Sequence, residues 1–184
     1  MGKISLDKIM QVSTQVDSAQ AKPAFYQELC EKLQDLLGSE TDFIANAANA
    51  SALLFHSLPQ VNWAGFYIFR DGKLTLGPFQ GKPACVHIDL GKGVCGSAAK
   101  KKETIIVPDV SKFKGHIVCD AGSKSEIAVP LLNWGKLIAI LDVDSPVLNR
   151  FDEDDQEGLE AFASVFVASL VTEDLPDLSD VVAN

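Results

Sequence analysis

From Pro23 onward the apolar residues recur on one helical face. Phe25, Leu29, Leu33, Leu36 and Leu37 follow at spacings of a 3.6-residue period, and Gly38 is placed to close the helix. Pro23 sits at the start, where a missing N–H costs nothing. A second, alanine-rich helix is expected from Asp42 to Leu58, ending before Pro59. The period then changes to two. Trp63, Gly65, Tyr67 and Phe69 alternate with Ala64, Phe66 and Ile68, and Asp71-Gly72 is a two-residue hairpin signal. Lys73 to Gly77 reads as the returning strand, interrupted by Pro78, Gly81 and Pro83, and Ala84 to Ile88 as a third short strand carrying Cys85 and His87. The run Gly91-Lys92-Gly93-Val94-Cys95-Gly96 leads into a short helix over about Val94 to Lys101. It lacks the Walker and dinucleotide spacings, and a tight strand-to-helix connection is the expected role.

Thr104 to Val107 predicts another short strand, and Asp109 to Lys124 a long loop that contains Cys119. Two strongly apolar strands follow, Ser125 to Leu132 and Lys136 to Asp144, joined through Asn133-Trp134-Gly135 as a three-residue hairpin. A last helix starts after Asp152, with Leu159, Phe162, Ala163, Phe166 and Leu170 on its apolar face and Glu153, Asp154 and Asp155 at its N-terminal dipole. This order predicts an α+β protein: an N-terminal segment over 1–21 with weak patterning, one domain over 22–172 built as an antiparallel sheet with helices on one side and long loops on the other, and an acidic tail over 173–184.

Composition narrows the function. The 184 residues suffice for one normal core, and 47% are apolar. A net charge of −9 disfavours nucleic acid and anionic membrane surfaces as partners. No apolar run approaches the length of a spanning helix, and residues 1–20 lack the apolar centre of a signal peptide, so the expected location is the cytoplasm. A stable structural disulfide is not expected in that reducing compartment. Three of the four cysteines, Cys85, Cys95 and Cys119, lie in or beside loops between Pro83 and Cys119, with His87 and His116 near the outer two. They fit either thiols that react with one another or a metal site, though no C-x-x-C pair is present and the spacings match no common zinc site. A helix N-terminus beside Cys95 is expected to lower its thiol pKa. Cys30 lies beside the first helix's stripe and reads as a small core residue. His56 is expected at the surface near the second helix's end.

Asp142 and Asp144 lie two apart on a strand and share a face with Ile138 and Ile140. A three-residue hairpin places Leu132 opposite Lys136 and therefore Glu126 opposite Asp142, so the three acids are expected as one cluster at the edge of an apolar face. Opposed like charges need a cation, a shared proton or a ligand unless they point into water at a solvated strand end. Metal binding, proton donation and recognition of a cationic ligand such as an α-amino group all remain open on this reading. Trp63 and Tyr67 share a face and either line an apolar pocket or pack in the core.

Taken together, Asn62-Trp63-Ala64-Gly65-Phe66-Tyr67, Gly77-Pro78-Phe79-Gln80-Gly81-Lys82-Pro83-Ala84-Cys85, the glycine run around Cys95, His116-Ile117-Val118-Cys119-Asp120, Ser125-Glu126-Ile127-Ala128-Val129-Pro130 and Leu141-Asp142-Val143-Asp144-Ser145 resemble the free methionine-(R)-sulfoxide reductases, which are GAF-domain enzymes. The resemblance runs from about Pro23 to Leu170. It implies a single GAF-type domain with a loop-covered pocket and reduction of the R epimer of free methionine sulfoxide. It implies Cys119 as nucleophile, Cys85 as main resolving cysteine, and Cys95 as a third cysteine of resolving or accessory role. Glu126, Asp142 and Asp144 match substrate-site acids, with Glu126 the expected proton donor, and Trp63 and Tyr67 match pocket aromatics. A Cys85–Cys119 disulfide is the expected oxidised form. The resemblance implies no bound cofactor or metal and thioredoxin as external reductant. A homodimer through the N-terminal helices is a further expectation. The rival readings are a GAF module that binds a small ligand without chemistry, and a zinc or iron site built from Cys85, His87, Cys95, His116 and Cys119.

Overall fold

The computed structural model describes residues 21–115, 117 and 122–170. The expectations for residues 1–20, for the C-terminal tail, for His116 and for Cys119 lie outside the described residues. Helices α1 (Ala21–Leu37) and α2 (Phe43–Ser57) come first, followed by strands β1 (Trp63–Arg70), β2 (Lys73–Gly81) and β3 (His87–Asp89). Helix α3 (Gly93–Lys101), strand β4 (Ile105–Val107) and a 3-10 turn at Val110–Lys112 lead to β5 (Ser125–Asn133), β6 (Lys136–Ser145) and helix α4 (Glu153–Ser169). The strands form one antiparallel six-stranded sheet in the order β3-β2-β1-β6-β5-β4. The α+β class and the antiparallel sheet therefore stand as read from the chain.

Period two in β1 separates the two faces of this sheet. Ala64, Phe66 and Ile68 turn toward α1, α2 and α4, where Phe43, Phe66 and Phe166 meet ring against ring at 4.8–6.2 Å. Trp63 and Tyr67 turn to the other face, which is covered by α3 as well as by loops. Helices thus lie on both faces, not on one as the sequence suggested. The short helix is too polar on one side to be recognised as a cover, yet Val94, Cys95, Ala98 and Ala99 are all buried on the sheet.

The helix ends follow local chemistry. The Asp42 side chain accepts from Ala45 N–H at 2.8 Å at the start of α2. Asp152 and Asp155 make a reciprocal capping box on α4. Asp155 is buried and also accepts from Tyr26 Oη at 2.8 Å, Lys22 Nζ at 2.7 Å and Arg150 at 3.0 Å, which ties α1 to the start of α4. Gly158 lets these helices touch, since a Cβ there would stand 2.1 Å from the Tyr26 ring.

Several strand expectations change. β2 runs through Pro78 to Gly81 because β1 and β2 shift register between Gly65 and Tyr67, and Pro78 sits at that bulge, where no ladder N–H is required. β3 covers only His87–Asp89, and Cys85 precedes it in the connecting loop. Its pairing ends at Thr75 with one further bond from Leu76 N–H to the Val86 carbonyl at 2.9 Å, just before Gly77-Pro78 on β2.

The β5–β6 hairpin differs from the expected three-residue one. Its loop has two residues, Trp134 and Gly135, both at positive φ (49° and 74°), and Asn133 pairs with Lys136. Continued regularly, that register would set Glu126 opposite Val143 and turn it to the wrong face. A shift between Leu131 and Leu132 restores the parity, because Ile138 is an extra residue on β6. Glu126 therefore pairs with Asp144, not with Asp142, and Asp142 pairs with Ala128. Ile138 packs with the helix-side core instead of sharing the face of Ile140.

Candidate active site

The acids converge on the α3-covered face near one end of the central strands. Glu126 comes from β5, and Asp142 and Asp144 from β6. Across β1, Trp63 pairs with Asp144 and Gly65 with Asp142. Gly65 carries no side chain because the Trp63 ring lies over it: a Cβ would be 2.8 Å from Trp63 Cη2 and 2.3 Å from Phe79 Cβ. Trp63 stacks between Tyr67 (5.9 Å between ring centroids) and Phe79 (5.3 Å). Its indole N–H donates to the Lys82 carbonyl at 3.1 Å. Trp63 and Tyr67 satisfy both readings offered by their spacing, being buried and lining the cavity.

Cys95 lies in the first turn of α3, which packs it onto the acids. Its thiol donates to Glu126 Oε1 at 3.6 Å, and a ligand atom from each of Cys95, Glu126 and Asp142 lies within 4.8 Å of the others. The glycine run around it makes this placement possible. Gly91 N–H bonds the Gly96 carbonyl at 2.6 Å, Lys92 N–H bonds Asp89 at 3.0 Å and Gly93 N–H bonds Gly115 at 3.2 Å. A Cβ on Gly96 would collide with the Asp89 carbonyl at 2.3 Å. These three N–H groups are engaged internally, as a tight strand-to-helix connection requires.

Burial dominates the electrostatics. Glu126 is pushed well above the usual carboxyl range, first by desolvation, then by the charges of Asp142 and Asp144, with a hydrogen bond to Asp142 adding to the rise. Burial raises Asp142 to about 6, opposed by hydrogen bonds from Cys95 and Glu126. The pair accordingly holds one proton on Glu126 that is shared toward Asp142. The Cys95 thiol is raised well above its ordinary value by burial and then by the Asp142 and Glu126 charges. The expected lowering at a helix N-terminus is overturned, because desolvation and two adjacent carboxyls outweigh the half-charge of one short helix. Burial, then Asp142, also raises the Tyr67 phenol.

The cavity enclosed by these groups is about 30 Å³. Ala84, Ile117 and Ser123 close it from the loop side. Its described lining includes four acids or thiols and no Lys, Arg or His. Asp142 Oδ1 is buried without a hydrogen-bond partner among the described residues. Ser123, which accepts from Asn62 Nδ2 at 3.2 Å, and Ile117, which packs on Gly93, were not singled out from the sequence. Isolated loop residues carry no periodic signal.

Of the remaining cysteines, Cys85 is disulfide-bonded and Cys30 and Cys95 are free thiols. The expected pairing with Cys119 lies outside the described residues. Cys30 packs at the margin of the helix-side core, and His56 is exposed. His87 sits on β3 beside Thr75, with Nδ1 and Oγ1 3.3 Å apart. The metal-capable grouping found among the described residues, Cys95 with Glu126 and Asp142, is not the one imagined from the five Cys and His positions. A larger groove of about 800 Å³ between β5 and α4 has its Glu160 engaged by Thr104 and Gln156, and holds no thiol.

This fold, an antiparallel sheet with a small acid-lined cavity on one face, is that of a GAF domain. The GAF-domain pattern matches residues 24–170, and the chain belongs to that family. Within it, the chain is 54% identical over 147 residues to Protein YtsP of Bacillus subtilis, covering 79% of this chain and 90% of that one. It is 46% identical to the free methionine-R-sulfoxide reductase of Escherichia coli, covering 83% and 93% of the two chains. It also superposes on the free methionine-R-sulfoxide reductase of Neisseria meningitidis in complex with its substrate, with a TM-score of 0.78, 40% identity, and coverage of 83% and 92%. Among the described residues no helix is long and apolar enough to cross a membrane.

Proposed function

We propose that this protein reduces the R epimer of free methionine sulfoxide to methionine, as its named relatives in E. coli and N. meningitidis do by their names. The observation that carries the reading is the buried Glu126–Asp142 pair beside Trp63, a proton held on a carboxyl in a cavity with no basic lining residue among those described. Glu126 donates that proton to the sulfoxide oxygen while the Cys119 thiolate attacks the sulfur. Methionine leaves and Cys119 becomes a sulfenic acid. Cys85 attacks it, water departs, and a Cys85–Cys119 disulfide results. The two electrons are restored by thioredoxin through thiol–disulfide exchange in the cytoplasm.

Asp142 and Asp144 hold the substrate ammonium, and Trp63 and Tyr67 face its methyl end. A methionine sulfoxide within a peptide has no ammonium for these acids, which gives the preference for the free amino acid a physical cause. Support for Cys85 over Cys95 as resolving cysteine comes from their surroundings. Cys85 is in a loop and disulfide-bonded, whereas Cys95 is a buried protonated thiol engaged by Glu126. A cavity of about 30 Å³ is smaller than an amino acid, so the loop-side wall at Ala84, Ile117 and Ser123 moves outward on binding.

The test is NADPH consumption with thioredoxin and thioredoxin reductase, using the separate R and S epimers. Turnover confined to the free R epimer and lost in Cys119→Ser is expected. Folded, reduced protein that turns over neither epimer would overturn the reading in favour of a ligand-binding GAF module.

A further inference from the structure

Cys95, Glu126 and Asp142 present one thiol and two carboxyls from three different elements, α3, β5 and β6. Their ligand atoms lie within 4.8 Å of one another. The Cys95 Sγ to Glu126 Oε1 separation is 3.6 Å. A tetrahedral ion with a metal–sulfur bond of about 2.3 Å and a metal–oxygen bond of about 2.0 Å requires an S···O edge of about 3.5 Å. That edge is therefore already set. Independently, Asp142 is only 5% exposed and its Oδ1 has no hydrogen-bond partner among the described residues. A buried carboxylate oxygen without a donor is costly unless something cationic or protic reaches it. With its loop-side wall in place, the adjoining cavity of about 30 Å³ has room for an ion or a water.

We propose that Cys95, Glu126 and Asp142 form a binding site for a divalent cation of the zinc type, with a water completing the coordination. The mixture of one soft and two hard ligands selects zinc or cobalt over magnesium or calcium, which prefer all-oxygen sites. On binding, the Cys95 thiol and the Glu126–Asp142 pair release their protons to solvent. Where the cavity is the substrate site, as proposed above, the ion occupies the acids that receive the substrate ammonium and takes the Glu126 proton. Zinc is then a reversible inhibitor, competitive with the sulfoxide. Cys95 distinguishes the two ligands, because a thiolate binds the metal and contributes little to an ammonium.

The test uses the oxidised full-length protein, in which Cys85 is held in its disulfide and Cys30 and Cys95 are the free thiols among the described residues. Co²⁺ is titrated in and the thiolate-to-cobalt charge-transfer absorbance followed. A saturable one-to-one band is expected, abolished in Cys95→Ser, retained in Cys30→Ser and removed by excess Zn²⁺. Glu126→Gln and Asp142→Asn, with circular dichroism to show folding, are expected to weaken the cobalt midpoint by about 10-fold or more. Added methionine sulfoxide is expected to raise that midpoint. No thiolate band at millimolar cobalt, or a band that survives in Cys95→Ser, overturns the site. A midpoint indifferent to the sulfoxide overturns the competition. The two readings fail separately: turnover in chelator-treated reduced protein without a cobalt band sinks only the metal site, and a band without turnover sinks only the reductase.

Discussion

Asp142 is a case where a single substitution should strengthen the fold while disabling the site. Its carboxyl is raised from an ordinary 3.8 to about 6, chiefly by burial. A carboxyl whose folded pKa lies above its unfolded value opposes folding when ionised: the folded state binds the proton more tightly, so stability falls as pH rises from about 4 to about 6. A shift of this size is worth about 3 kcal/mol above that window. Asp142→Asn removes the charge and keeps an oxygen that can accept from Cys95 and Glu126, while its amide can donate to Glu126. It should therefore gain up to about 3 kcal/mol at pH 7.5, roughly half of that at pH 5, and little at pH 4. For a chain of this size, the gain corresponds to a Tm rise of roughly 6–12 °C at pH 7.5. Urea and thermal unfolding of wild type and variant, both fully reduced and metal-free, measure it. A variant no more stable than wild type at pH 7.5, or a gain that stays constant down to pH 4, would refute the assignment of a buried, ionised Asp142. In the coupled assay the same variant should show a raised KM, since the ammonium loses a partner.

Glu126→Gln keeps the shape but cannot supply a proton, and kcat with the R epimer should drop by about 10²–10⁴ with a smaller change in KM; an unchanged kcat would remove Glu126 from the proton-donor role. Gly158→Ala puts a methyl 2.1 Å from a Tyr26 ring that is pinned through its hydroxyl to Asp155 at 2.8 Å, and should cost about 1–3 kcal/mol or more in urea melts. Asp155→Ala leaves the buried Tyr26 hydroxyl without its acceptor and removes one carboxylate from both Arg150, which keeps the Pro59 carbonyl at 2.9 Å, and Lys22, which keeps Asp152 at 2.6 Å. A loss of about 1–3 kcal/mol is expected, and no measurable loss would show that water and the remaining partners replace the network.

Much of this fold was legible because its determinants are local. The stripe of Phe25, Leu29 and Leu33, the Asp42 and Asp152 caps and the alternation along β1 each act within a few residues, and each element formed where they pointed. The acid cluster was also legible, for a reason that tolerates error. Side-chain facing in a strand depends only on parity, so a two-residue turn followed by one extra residue at Ile138 delivers Glu126 to the same face as a regular three-residue turn would. Its partner changed from Asp142 to Asp144, but the cluster did not. Tertiary structure alone decided how deep the acids lie and what stands over them. Helix α3 carries no strong apolar stripe, yet it folds back onto the sheet and sets Cys95 against Glu126 at 3.6 Å. Burial beneath that helix, with the neighbouring carboxyls, reverses the expected direction of the Cys95 pKa, and burial with the charges of Asp142 and Asp144 leaves a proton on Glu126 against the lowering hydrogen bond from Cys95. The reason is physical: periodicity is written in neighbouring residues, whereas desolvation is set by atoms distant in sequence that exclude water from a charge.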